Sequence, residues 1–150
     1  MFPLGDDNSQ RRTVPVVTFV LIALNVIVFL MELSAGDGFI EQFAFIASRF
    51  SDAPATYAYT ILTAMFLHGG WMHLFGNMLF LWIFGDNVED RFGRLQFLFF
   101  YLATGVAATL AQYAIAPHSP VPNVGASGAI AGVLGSYILM FPQSRVNVLV

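Results

Sequence analysis

The chain has no cysteine in its 150 residues, and that absence excludes a disulfide framework, a thiolate metal site and a cysteine nucleophile together. It leaves the redox compartment open. Charge is also scarce. Asp, Glu, Lys and Arg make up 10% of the chain, the six basic residues are all arginine (Arg11, Arg12, Arg49, Arg91, Arg94 and Arg145), and nine acidic residues bring the net charge to -3. No basic patch exists to hold a polyanion, so a nucleic-acid partner is excluded. What abounds is apolar surface: 57% of residues are hydrophobic and the mean hydropathy is +0.72. A soluble globular domain does not carry that composition, and the lipid bilayer is the solvent that suits it.

Runs without charge divide the chain. Residues 1–12 are polar and read as a short solvated tail. From Thr13 to Met31 no charge appears, and as a helix this run reaches about 28 Å, close to the roughly 30 Å hydrocarbon thickness of a bilayer. Leu33-Ser34-Ala35 is a poor cleavage site, so a retained spanning helix is expected here and not a signal peptide. Residues 32–54 mix Glu32, Asp37, Glu41, Arg49 and Asp52 with Phe39, Phe43, Phe45 and Phe50, which suits an interfacial amphipathic segment. Residues 55–84 carry no charge, but one straight helix over them would run about 45 Å, too long for the core. A break is expected at Gly69-Gly70, giving an outer amphipathic and re-entrant segment over 32–70 and a helix over 71–84 of about 21 Å.

Asp86, Glu89, Asp90, Arg91 and Arg94 then read as a solvated turn that pins this short helix at one surface. Leu95 to Ala116 is a second full span of about 33 Å. The proline-rich link 117–123 disfavours helix and leaves His118 solvated. Ser127 to Phe141 is again short, about 22 Å, and Pro142 with Arg145 marks its end. Five arginines fall on one side of these spans and Arg49 alone on the other, which predicts a cytoplasmic N-terminus with both ends of the chain inside; the expected location is the cell inner membrane, as a multi-pass protein. The two short helices put His73, Asn77 and Ser127 in the same outer half of the bilayer.

Polar side chains inside membrane sequence are costly, so these three point to chemistry. A serine hydroxyl is a weak nucleophile without a base, and the oxyanion its attack creates needs preorganised donors. Ser127 at a helix start has free backbone N–H groups beside it, and His73 and Asn77, four apart, can aim donors at one point. A competing reading treats Gly125-Ala126-Ser127-Gly128-Ala129-Ile130-Ala131-Gly132 as a close-packing helix face, since Gly128 and Gly132 form a GxxxG pair. The GxSxG elbow of soluble hydrolases does not fit, because Ala129 stands at its second glycine. His68 and His73 are five apart, on different helical faces, and lack an HExxH pattern or an acidic third ligand, so no metal site is expected.

Three motifs taken together, His68-Gly69-Gly70-Trp71-Met72-His73-Leu74-Phe75-Gly76-Asn77-Met78, Phe84 to Gly93, and Gly125 to Gly132, resemble the rhomboid intramembrane serine proteases. The resemblance runs in order from about residue 56 to the C-terminus. It implies an all-α membrane protein, a helical bundle of which four of six transmembrane helices are present, with an amphipathic first loop in the outer leaflet. It also implies Ser127 as nucleophile, His73 and Asn77 as oxyanion donors beside the Ser127 N–H, supporting roles for His68, Gly125 and Gly128, transmembrane proteins as substrates, and no metal or organic cofactor. One departure stands out. Rhomboids take their general base from a histidine of the sixth helix, and nothing in 1–150 matches it, so the chain is expected to be C-terminally incomplete and inactive alone. Ala131 also replaces the aromatic residue that some members place four after the serine. The competing functions are a catalytically silent rhomboid-like protein that binds or handles transmembrane helices, and a structural or pore-forming bundle.

Overall fold

The structure, a computed structural model, describes residues 2–6 and 12–149. In chain order the elements are β1 (Phe2–Asp6), α1 (Val16–Ala35), α2 (Asp37–Phe43), β2 (Phe45–Ile46), α3 (Ala47–Asp52), α4 (Pro54–Tyr57), α5 (Thr60–Thr63), a 3₁₀ turn (Ala64–Phe66), α6 (Trp71–Phe92), α7 (Arg94–Ile115), β3 (Pro122–Asn123), α8 (Ser127–Met140) and β4 (Val146–Leu149). The fold is all-α in character, and α1 and α7 are each long and apolar enough to cross a membrane. Its burial is that of a protein dissolved in lipid. Along α1, Phe19, Val20, Leu24, Ile27 and Leu30 face outward, while Thr18, Leu21, Asn25, Phe29 and Glu32 are buried on one helical face. Polar groups point in, toward other polar groups, and hydrocarbon points out.

Helices α7 and α8 begin and end within one residue of the expected limits. The other two differ, for one reason. Helix α1 starts after Pro15 and continues past Glu32 to Gly36, whose φ is +74°. Helix α6 runs on to Phe92, so it is about 33 Å long and not short. Asp86 and Glu89, expected in a solvated turn, are 4% and 1% exposed. Glu89 reaches the first turn of α1, where its carboxylate accepts the N–H groups of Val17 (2.9 Å) and Thr18 (2.7 Å) and the Thr18 hydroxyl (2.8 Å). Asp90 accepts the N–H groups of Arg12 and Thr13. A helix start leaves orphan donors and a partial positive charge, and here a neighbouring helix supplies the acceptors that a local cap residue would otherwise supply. Both charges therefore lie inside a helix instead of marking its boundary.

Helix α8 divides its surface three ways. Ala126, Ala129, Ile130, Val133 and Tyr137 fill the core with Leu81, Val88, Phe97 and Tyr101. Gly128 and Gly132 meet α7: an added Cβ would stand 2.5 Å from the Ala108 Cβ and 2.6 Å from the Thr104 Cβ. The close-packing reading of this stretch is thus correct for its glycines. Ser127, Ala131 and Leu134 face α6 across a groove.

One end of the bundle gathers the chain segments that carry the arginines. Strands β1 and β4 pair antiparallel there, from Phe2 opposite Leu149 to Asp6 opposite Val146, so part of the expected solvated tail is a strand; residues 7–11, including Arg11, lie outside the described residues. Segment 36–70 folds over the other end as short helices. It is tied to the link before α8 by β2 pairing with β3 (Phe45 opposite Asn123), by the Ser48 N–H to the Ser119 carbonyl (3.1 Å), and by the Ser51 hydroxyl to the Pro117 carbonyl (2.7 Å). The first loop thereby holds the approach to Ser127.

Candidate active site

Ser127 opens α8. No side chain caps this helix, and its first internal bond runs from the Ile130 N–H to the Ala126 carbonyl (3.0 Å). The N–H groups of Ser127, Gly128 and Ala129 are the donors that a helix start leaves over, with the positive end of the dipole among them. Gly125 sets the entry to this turn. Its φ of +120° suits glycine alone, and its N–H donates to the Ala64 carbonyl at 2.8 Å. A Cβ at Gly125 would stand 2.7 Å from both Cε1 and Nε2 of His73 and 3.7 Å from the Asn77 Nδ2. The imidazole edge and the amide nitrogen therefore lie against the backbone that leads into Ser127.

The His73 tautomer follows from its other nitrogen. The Gly69 N–H donates to His73 Nδ1 at 3.3 Å, so Nδ1 is the acceptor and the ring proton sits on Nε2. That nitrogen is the one turned to Gly125. Asn77 is 8% exposed, and its Nδ2 has no hydrogen-bond partner among the described residues. A buried donor left over in this way is costly unless a ligand takes it.

His73, Asn77 and Ser127 line one open groove of about 370 Å³ between α6 and α8, walled further along by Phe80, Ile130 and Leu134. Within the bundle Ser127 is not buried: it is exposed on the groove wall, because α6 and α8 stand apart there. On its α7 side Ser127 borders a second, more polar cavity of about 90 Å³, lined by Thr109, Gln112 and Asn123. Sequence reading passed over Gln112 and Asn123; a glutamine one turn after a threonine in an apolar span was the available signal.

His68 is fully buried, and its ring meets His73 edge to face with centroids 5.1 Å apart. His68 and His73 do not sit on two faces of one helix, because α6 starts only at Trp71 and His68 lies in the turn before it. Burial first, and the neighbouring His73 second, push the His68 pKa down to about 4, which keeps the ring neutral. His68 and His73 form a pair, and among the described residues no group of three His, Cys, Asp or Glu could hold a metal ion. His118 is exposed in the link, as expected.

Fold and site together define a helical membrane protein in which a serine at a helix start faces a histidine and an asparagine across a groove. The Rhomboid domain family matches residues 55–150, and the chain belongs to that family. It is 37% identical over 133 residues to the rhomboid protease GluP of Bacillus subtilis (strain 168), covering 87% of this chain and 26% of that protein. It is 30% identical over 129 residues to the putative rhomboid protease YdcA of the same organism, covering 86% and 64%. To the chloroplastic rhomboid-like protein 11 of Arabidopsis thaliana it is 42% identical over 82 residues, 55% of this chain and 29% of that one. The chain thus spans less than two thirds of each of these relatives.

Proposed function

We propose that this chain carries the nucleophile and the oxyanion donors of an intramembrane serine endopeptidase whose substrates are transmembrane proteins. The observation that supports the reading most is the convergence of His73 Nε2 and Asn77 Nδ2 on Gly125, next to the free N–H of Ser127. In the reaction the Ser127 Oγ attacks the scissile carbonyl carbon and gives up its proton to a base. Negative charge gathers on the carbonyl oxygen, where the Ser127 N–H, His73 and Asn77 donate. The peptide C–N bond breaks, the amine leaves with the proton, and an acyl-enzyme ester remains. Water then attacks the ester, returns Ser127 to its hydroxyl form and releases the acid. The polar cavity beside Gln112 and Asn123 suits that water. The family resemblance puts the base on a histidine of a later helix, outside residues 1–150, and the absence of any histidine hydrogen-bonded to the Ser127 hydroxyl among the described residues supports that reading. On this reading residues 1–150 alone are inactive, and the arginine bias supports a cytoplasmic N-terminus in an inner membrane.

That same lack of a bonded imidazole favours a second reading, a silent family member that handles transmembrane helices. Kinetics on the full-length protein with a transmembrane substrate separate the two. Ser127→Ala abolishes turnover on the first reading, and loss of a single donor in His73→Ala or Asn77→Ala lowers kcat about 10²- to 10³-fold. Undiminished cleavage by Ser127→Ala removes the serine-protease reading, and no cleavage by any form leaves the silent one.

A further inference from the structure

Glu32 is a buried carboxylate in the last turn of α1, 5% exposed, to which the proposed reaction gives no role. Its Oε2 accepts the His68 backbone N–H at 3.1 Å, a contact across 36 residues of chain. The turn it grips ends at Gly70, whose φ of +150° is the conformation of a glycine, and begins after Leu67, which is extended. The next N–H along, that of Gly69, is the one on His73 Nδ1. Consecutive peptide planes share a Cα, so the grip on one N–H limits the swing of the other. Without an acceptor at position 32 the His68 N–H would be a buried donor with nothing to bond, and the turn would have to move to satisfy it.

Resting on the protease reading above, we propose that Glu32 is a positioning residue: by holding the 68–70 turn it keeps the Gly69 N–H on His73 Nδ1 and so keeps the ring proton on Nε2, the nitrogen that faces Gly125 and the oxyanion. The first spanning helix thereby sets the protonation pattern of a donor on the second. The helix is well placed for this, because Glu89 anchors its opposite end to the same α6. What Glu32 supplies is an acceptor at a fixed reach. Charge is secondary, and the amide oxygen of glutamine has the same reach, whereas aspartate keeps the charge and falls one methylene short.

The full-length protein labelled with ¹⁵N-histidine in detergent or bicelles carries the test, with His73 assigned by its loss in His73→Ala. Wild type and Glu32→Gln both give the Nε2–H tautomer at His73. Glu32→Asp and Glu32→Leu give a mixture with Nδ1–H. In the proteolysis assay Glu32→Gln stays within a fewfold of wild type, while Glu32→Asp loses about 10- to 100-fold in kcat with KM nearly unchanged, as a misplaced donor does. Should Glu32→Leu fail to fold, the Gln and Asp pair still decides. A Glu32→Asp protein with the wild-type His73 tautomer overturns the proposal, as does a Glu32→Gln protein that has lost it. The tautomer is read without any substrate, so a full-length protein lacking proteolysis would sink the protease reading and leave this comparison intact.

Discussion

At the scale of single residues, the site turns on atoms that have no freedom to move. Gly125 is the clearest case, since its φ of +120° and its approach to His73 both exclude a side chain. Gly125→Ala is expected to cost about 1–3 kcal/mol in backbone strain and to displace the imidazole, lowering turnover by about 10²-fold or more. Thermal unfolding and steady-state kinetics on the same preparation check both halves. His68 gives a pH dependence. Its ordinary pKa of 6.5 falls to about 4 in the fold, through burial first and the neighbouring His73 ring second. A base whose folded pKa is depressed resists protonation in the native state. Its contribution to stability is full above 6.5 and is lost as pH falls from there toward 4. His68→Gln should flatten that slope in denaturation midpoints measured between these pH values. An unchanged slope would place the acid sensitivity elsewhere.

That His73 and Asn77 share a helix face and that Ser127 starts a helix was legible in spacing, and the two helices do meet at one groove, a juxtaposition that only the family resemblance implied. Glu32 was not legible, because its partner is a backbone N–H 36 residues away and nothing local records that contact.

At the scale of elements, the same distinction separates the helices read well from those read badly. The limits of α7 and α8 coincide with a run of apolar residues between a charge or glycine and a proline-rich or polar stretch. The ends of α1 and α6 do not, since Glu32, Asp86 and Glu89 are charges a helix keeps inside itself. A charge marks an interface only when water is its partner; Glu89 has the start of α1 instead. Glu89→Ala leaves two N–H groups and a hydroxyl without acceptors and should cost on the order of 3 kcal/mol. The loss should appear as earlier unfolding in detergent and as faster exchange of the Val17 and Thr18 amides. Protection of those amides equal to wild type would show that another group caps α1. The first loop was read as non-spanning, and its helices are all short, none longer than the seven residues of α2. Its pairing with the link through Phe45 and Asn123 could not be foreseen, because two-residue strands leave no periodic pattern.

At the scale of the whole molecule, the bundle has two unlike ends. The pairing of β1 with β4 and the contacts of Glu89 and Asp90 bring Arg12, Arg91, Arg94 and Arg145 to one of them, and Arg49 lies in the loop at the other. If the arginine-rich end faces the cytoplasm, as the arginine bias predicts, reporter fusions at Ser9 and Gln143 report cytoplasm and one at Asn123 the exterior. A cytoplasmic signal at Asn123 would invert the topology. The absence of cysteine makes crosslinking direct: cysteines at positions 73 and 127 should join through a short bifunctional reagent across the groove.

If Ser127 is the nucleophile, covalent capture will find it there. The full-length protein in native membranes is treated with a fluorophosphonate probe, digested, and the modified residue located by mass spectrometry. A single adduct on Ser127 is expected, lost in Ser127→Ala and weakened in His73→Ala, since the phosphoryl oxygen of the probe seeks the same donors as the oxyanion. No adduct on a folded, membrane-inserted protein, or an adduct that survives Ser127→Ala, would contradict Ser127 as the nucleophile.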